Sequence, residues 1–193
     1  MSTIKLLAFA GSTRTDSYNK KLVRIAAEGA QAAGAEVTLI DLRDFPMPLY
    51  DGDLEAASGL PENAKKLKQL MIASQGFLIS SPEYNSSITP VLKNSIDWAS
   101  RVETETEPPL VCYRRKTVCL MSASPGAFGG MRGLVHVRAI LGNIGACVMP
   151  EQIILPKAYE AFDEKGALKD PVTQKSILDL GKNMFEFTRR LHG

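Results

Sequence analysis

Five short apolar runs, each leading into a segment with helical spacing, constrain this chain more than any other feature. Ile4 to Ala10 is apolar apart from Lys5, the pattern of a strand buried on both faces. Leu22, Ile25, Ala26 and Gly29 then fall on one helical face, and Gly34 stops that helix. Glu36 to Leu42 reads as a second strand, and residues 43 to 60 as loop, broken by Pro46, Pro48, Asp51-Gly52 and Gly59. Pro61-Glu62 opens a helix with Ala64, Leu67, Leu70 and Met71 on its inner face. Gly76 to Ser80 is the third strand. The next helix buries Val91, Leu92, Ser95, Ile96 and Ala99, with Lys93 and Asp97 paired at i,i+4 outside.

Glu103 to Pro109 reads as an acidic, proline-rich surface loop. Thr117 to Met121 is a fourth strand. A glycine-rich loop over Ser122 to Gly130 follows, then a helix carrying Leu134, Val137, Arg138 and Leu141. A fifth strand spans Ala146 to Met149, with its extension to Leu155 left open. Val172 to Leu191 closes the chain as a helix, with Ile177, Leu178, Met184 and Phe185 as core.

Parallel strands need a crossover, and a helix supplies it, so this alternation implies an α/β fold built on a parallel sheet. Five such units in 193 residues match a flavodoxin-like doubly wound five-stranded sheet of order 2-1-3-4-5 with helices on both faces, folded as one domain over residues 1–193.

A net charge of +2 gives no strong field and no reason to invoke nucleic acid or a membrane surface. The apolar stretches are too short to span a bilayer. Met1 to Lys5 lead directly into a strand pattern, which leaves no room for a signal peptide. Cys112, Cys119 and Cys147 are an odd number without C-x-x-C spacing, which argues against a disulfide framework or a zinc site and fits a reducing cytoplasm.

Ligands of open α/β sheets bind beyond the carboxyl ends of the strands, and three loops there carry chemistry. The first, Gly11 to Asn19, joins a strand to a helix N-terminus, which presents unpaired N–H groups to an anion. Ser12, Ser17 and Asn19 can donate hydrogen bonds and Arg14 can neutralise charge, so a phosphate monoester suits it. The plain alternative is a turn in which Ser17 only caps the helix. Neither G-x-x-x-x-G-K-[ST] nor G-x-G-x-x-G occurs after the first strand, which excludes a nucleoside triphosphatase and a Rossmann dinucleotide site.

The second loop runs from Ser81 to Asn94. Pro82 and Pro90 stiffen its ends, and Glu83, Tyr84 and Asn85 suit a flat heteroaromatic ligand with a polar edge. Taken singly, Tyr84 and Glu83 read as surface residues. In a 2-1-3-4-5 sheet, however, this loop neighbours the first at the switch point. The third loop, Ser122 to Gly130, has glycines that permit close approach to a ligand; its alternative is a flexible turn.

Gly11-Ser12-Thr13-Arg14 through Ser17-Tyr18-Asn19, Pro82-Glu83-Tyr84-Asn85 with Leu92-Lys93-Asn94-Ser95-Ile96-Asp97-Trp98, and Ser124 through Gly130 resemble the NADPH-dependent FMN reductase family, a flavodoxin-like group that includes quinone, chromate and azo-dye reductases. The resemblance spans roughly residues 4 to 155. It implies that Ser12, Arg14, Ser17, Tyr18 and Asn19 hold the FMN phosphate. It places Pro82, Glu83, Tyr84 and Asn85 along the isoalloxazine ring, with Ser124 and Gly126 closing the other side. It also implies a homodimer or homotetramer, with the helix of Asn94 to Trp98 at the subunit contact.

The expected activity is hydride transfer from NADPH or NADH to flavin N5, then electron transfer to a small acceptor (quinone, chromate, azo compound or flavin) in ping-pong order. That chemistry belongs to the cofactor, so no protein acid–base pair is needed. His136 and His192 read as structural, and no G-x-S-x-G is present. Arg132 reads as a surface residue, with NADPH phosphates or a subunit contact as alternatives. A non-enzymatic FMN carrier resembling flavodoxin is the second reading, disfavoured by the slightly basic charge. A flavin-free phosphate-binding module is the third.

Overall fold

A computed structural model describes residues 3–193. Five strands form one all-parallel sheet of order β2-β1-β3-β4-β5: β1 Lys5–Ala10, β2 Glu36–Leu39, β3 Gly76–Ser80, β4 Thr117–Ala123 and β5 Cys147–Leu155. Among the described residues seven α-helices accompany it: α1 Tyr18–Ala32, α2 Gly52–Ser58, α3 Glu62–Ala73, α4 Pro90–Ala99, α5 Met131–Asn143, α6 Ala158–Ala161 and α7 Pro171–His192. The doubly wound sheet anticipated from the apolar runs is the one observed.

Strand periodicity builds two cores. Leu6, Ala8 and Ala10 of β1, Leu78 of β3, and Cys119 and Met121 of β4 face α1 and α7, meeting Leu22, Ala26, Ile177 and Met184. The intervening Leu7, Phe9, Phe77, Ile79, Val118 and Leu120 face the other way, onto Leu67, Leu92, Ile96, Leu134 and Val137. Each fully buried Leu or Phe here stabilises the fold by roughly 1.5–3 kcal/mol. The contact between α1 and α7 is backbone-close: a Cβ on Gly29 would stand 2.1 Å from Leu178 O, and one on Gly181 1.9 Å from Ala26 O. Either substitution would push the two helices apart.

Several elements depart from the expected boundaries. β2 ends at Leu39 rather than Leu42, because the Asp41 side chain accepts from Arg43 N–H and caps a 3₁₀ turn over Leu42–Asp44. A helix, α2, occupies part of the expected 43–60 loop. Asp51 and Gly52, read there as breakers, start it: Asp51 accepts from Asp53 N–H, while Gly59 at φ 69° ends it. β5 does extend to Leu155, but its register jumps between Val118↔Val148 and Leu120↔Gln152. Pro150 lies in that irregularity on an edge strand, where a missing N–H is tolerated.

The segment after Phe45 is strapped to α4. Asn94 Nδ2 and Trp98 Nε1 both donate to Pro48 O, at 2.9 and 2.8 Å, and Tyr50 N–H donates to Asn94 Oδ1 at 2.8 Å. Trp98 is fully buried and meets the Tyr50 ring edge-on at 5.0 Å. The expected Lys93–Asp97 pair is present at 2.8 Å. Most of 103–109 is exposed, but Glu107 turns in to pair at 2.7 Å with Lys68, whose side chain is only 1% exposed. Among the described residues no helix is long and apolar enough to cross a membrane.

Candidate functional site

β1, β3 and β4 are adjacent, so their carboxyl ends bring the three loops to one edge. A cleft there is lined by Ser12, Arg14, Ser17, Tyr18 and Asn19 from the first loop. Pro82, Glu83 and Tyr84 line it from the second, and Ser124, with Ala123 and Pro125, from the third. Asn85 and Gly126 sit on the same loops outside this lining. Nine of the eleven residues singled out in the sequence thus share one cleft.

The first loop is arranged for an anion. Ser17 is the N-cap of α1 at extended dihedrals, yet its side chain makes no capping bond. Its hydroxyl is therefore not spent on capping the helix. The first amides of α1, at Tyr18 and Asn19, have no helical acceptor, and the helix dipole adds partial positive charge. Ser12 Oγ accepts from Arg14 N–H at 3.3 Å, which curls the loop. The Arg14 side chain is exposed, and no carboxylate pairs with it among the described residues. Hydroxyls, free amides and one uncommitted guanidinium form a phosphate donor set, so the residues present fit the tail of FMN.

Asn19 is placed otherwise. It is 3% exposed, and its amide points inward. Its Nδ2 donates to Ala123 O at 2.8 Å, while its Oδ1 accepts from Ser80 Oγ at 2.8 Å and Ala123 N–H at 3.0 Å. The side chain locks α1 to β3 and β4 beneath the cleft, leaving its backbone N–H for a ligand. Tyr18 stacks on Phe162, ring centroids 5.9 Å apart, with Lys21 Nζ 5.7 Å from the Tyr18 ring centre.

The sequence reading missed the brace beneath this loop. Arg43 Nε donates to Thr13 O at 2.8 Å and its Nη1 to Thr15 Oγ1 at 2.9 Å. Asp41 holds Arg43 N–H at 3.0 Å and pairs with Lys20 of α1 at 2.5 Å. The only signal was an arginine just after β2, the strand beside β1.

In the second loop the Glu83 carboxylate is committed. It pairs with Arg132 at 2.5 Å and accepts from Gly133 N–H at 3.1 Å. Burial pushes the Glu83 carboxyl up, but the Arg132 and Gly133 bonds and the Arg132 charge outweigh it and hold it below its usual range. Arg132, read as a surface residue, thus ties α5 to the loop. Tyr84 is 48% exposed at the rim. Tyr84 and Ser87 exchange backbone bonds of 3.1 Å around Asn85 and Ser86, both at positive φ. In the third loop Gly126 N–H donates to Ser124 Oγ at 3.1 Å, and Ser124 N–H to Leu155 O at 3.1 Å, which fixes the loop against β5.

The cleft encloses about 80 Å³, far below the ~300–1,000 Å³ of a site that swallows a drug-sized ligand. That volume admits a small anionic group, and beyond it the rim opens at Tyr84. A larger cavity of about 560 Å³, lined by Ile4, Phe185, Arg189 and Arg190, lies at the opposite end of the sheet, by the start of β1 and away from all three loops. Among the described residues no cluster of His, Cys, Asp or Glu is arranged to hold a metal.

The family described as NADPH-dependent FMN reductase matches residues 4–160. The chain is 32% identical to the NAD(P)H-dependent FMN reductase of Pseudomonas aeruginosa, over 98% of each protein. It is 31% identical to the NADPH:quinone oxidoreductase of Arabidopsis thaliana, covering 98% of this chain and 94% of that one. Among solved structures, the flavoenzyme NAD(P)H:(acceptor) oxidoreductase from Paracoccus denitrificans superposes with a TM-score of 0.78 at 25% identity, over 97% of this chain and 98% of that one.

Proposed function

The chain belongs to the NADPH-dependent FMN reductase family, and from that premise we propose that it is an FMN-dependent NAD(P)H oxidoreductase that reduces small quinones by a ping-pong mechanism. The observation that carries this reading is the cleft shared by three loops: a phosphate donor set at its closed end and an aromatic rim at its open end.

Bound FMN supplies the redox chemistry, as hydride acceptor and then electron donor. The chain's own residues bind and orient it. Ser12, Ser17, Arg14 and the first amides of α1 take the phosphate, with Asn19 holding that helix in place. Pro82, Glu83, Tyr84 and Asn85 line the ring, and Ser124 and Gly126 close its other side. The rim is open at Tyr84 and at Phe128, which is 57% exposed. Planar partners suit such walls. One rim receives NAD(P)H and the quinone in turn, which gives the ping-pong order. The quinone follows from the relatives' printed activities.

The same reading includes a homodimer or homotetramer in the cytoplasm. Trp98, on the helix expected at the subunit contact, is buried within the chain, so the assembly is supported instead by exposed Phe128, Met131 and Val135 beside the rim, and the compartment by three free cysteines. Light scattering on the FMN-loaded protein checks the assembly.

The deciding experiment mixes the yellow protein with NADPH anaerobically and then adds 1,4-benzoquinone. Rapid bleaching, return of colour, and parallel double-reciprocal lines are expected. Flavin that stays oxidised under NADPH would favour a carrier. Colourless protein that FMN does not restore would overturn the flavin reading altogether.

A further inference from the structure

The first two turns of α5 grip the turn that carries Tyr84. Arg132 Nε donates to Glu83 Oε1 at 2.8 Å, and Gly133 N–H donates to Oε2 at 3.1 Å. One turn further along, His136 Nδ1 lies 2.8 Å from Ser87 Oγ. The spacing of Arg132 and His136 puts both on one helical face. Gly133 lies between them: a Cβ there would stand 3.1 Å from Ser87 O and 3.3 Å from Glu83 Cβ. The helix backbone therefore rests directly on the turn.

That turn is under strain. Asn85 has φ 50° and Ser86 has φ 66°. A two-residue hairpin with both central residues left-handed is best served by Asn followed by Gly. Asn85 meets the first requirement. Ser86 has a Cβ where glycine is preferred, so the conformation is costly and must be held by its surroundings. The Glu83 contacts anchor the chain before the turn. On the far side, directly after Ser86, the side-chain hold is the bond between Ser87 and His136.

We propose that His136 is a positioning residue for this site: by holding Ser87 it keeps the strained turn closed and fixes Tyr84 at the rim. A hydroxyl both donates and accepts, so either tautomer of the imidazole keeps the bond. The consequence for catalysis rests on the flavin reading above, whereas the hold on the turn does not.

Two measurements on the full chain test it. The first is amide hydrogen exchange at Ser87, whose N–H donates to Tyr84 O, followed in protein without added flavin. The second is the KM for 1,4-benzoquinone with saturating NADPH in FMN-loaded protein. His136→Ala speeds the exchange and raises KM, each about threefold to tenfold, the effect of losing one hydrogen bond. The kcat stays near the parent value. His136→Asn, which keeps a hydrogen-bonding atom near the Nδ1 position, behaves like the parent. Ser87→Ala reproduces His136→Ala and adds nothing to it, as residues acting through one bond require. Adding Ser86→Gly to His136→Ala restores both values, because glycine takes the left-handed conformation freely. Unchanged Ser87 exchange in His136→Ala overturns the proposal, as does equal damage in His136→Asn or a failure of Ser86→Gly to rescue. If FMN does not bind the parent protein, the flavin reading falls, and the exchange arm still decides whether His136 holds the turn.

Discussion

Asn19 grips both backbone groups of Ala123: its Nδ2 donates to the Ala123 carbonyl at 2.8 Å, and its Oδ1 accepts from the Ala123 N–H at 3.0 Å. The same Oδ1 accepts from Ser80 Oγ. One side chain at the start of α1 thereby joins the ends of β3 and β4 and fixes the end of the loop from Gly11 to Asn19.

Asn19→Ala leaves the Ala123 groups and the Ser80 hydroxyl buried without partners. A loss of about 3 kcal/mol in unfolding free energy is expected. Urea denaturation checks it, with the midpoint falling and the slope unchanged. A midpoint equal to that of the parent would mean that the three bonds contribute nothing net.

Arg14→Ala removes the guanidinium proposed above to hold the FMN phosphate. FMN affinity falls about tenfold to a hundredfold, as the loss of a charge-assisted bond implies. Turnover at saturating FMN stays close to the parent, since the contact is uniform binding. Arg43→Ala acts only through Thr13 and Thr15, so its effect is smaller, about threefold to tenfold. Flavin fluorescence titration of the apo-protein ranks the two, and the reverse order would make Arg43 the phosphate ligand.

Glu83 gives the stability a pH dependence of known sign. Its folded pKa lies below the ordinary value because the Arg132 and Gly133 bonds outweigh burial. Its stabilisation is therefore complete above the unfolded pKa, about 4.3, and is lost as pH falls through the lower folded value. In urea titrations from pH 7 to pH 3, Glu83→Gln should start below the parent and converge on it as the solution is acidified. A constant gap would show that the carboxylate charge is irrelevant there.

The pair of Lys68 and Glu107 predicts an asymmetry. Lys68 is buried and also donates to Arg101 O. Glu107→Ala strands that charge and costs about 3–5 kcal/mol. The double change Lys68→Met with Glu107→Leu removes both charges and costs far less. Thermal unfolding of the two variants checks the order.

Periodicity exposed most of this architecture. The fully buried β3 came out with its observed ends, Gly76 and Ser80, because its apolar run is flanked by polar Gln75 on one side and by Ser80 and Ser81 on the other. The helix at Gly52 escaped because it buries none of its residues and so has no apolar stripe to find. Lys68 escaped because a lysine at an inward position looks like a solvated charge until its partner, 39 residues on, is known. The site divides the same way. Three loops on one edge follow from strand order, which local pattern implies. Asn19 turned inward and Glu83 was taken up by Arg132 through bonds to residues 104 and 49 positions away, a separation at which local pattern carries no information.

The chain's single tryptophan is Trp98, fully buried against Tyr50 and bonded to Pro48 O. Its emission is therefore a built-in optical gauge of whether the strap around Pro48 is seated, and it views a part of the molecule other than the rim at Tyr84. If that strap peels away before the sheet comes apart, indole fluorescence will shift to the red ahead of the far-ultraviolet dichroism, and the two traces will separate in a single denaturation run.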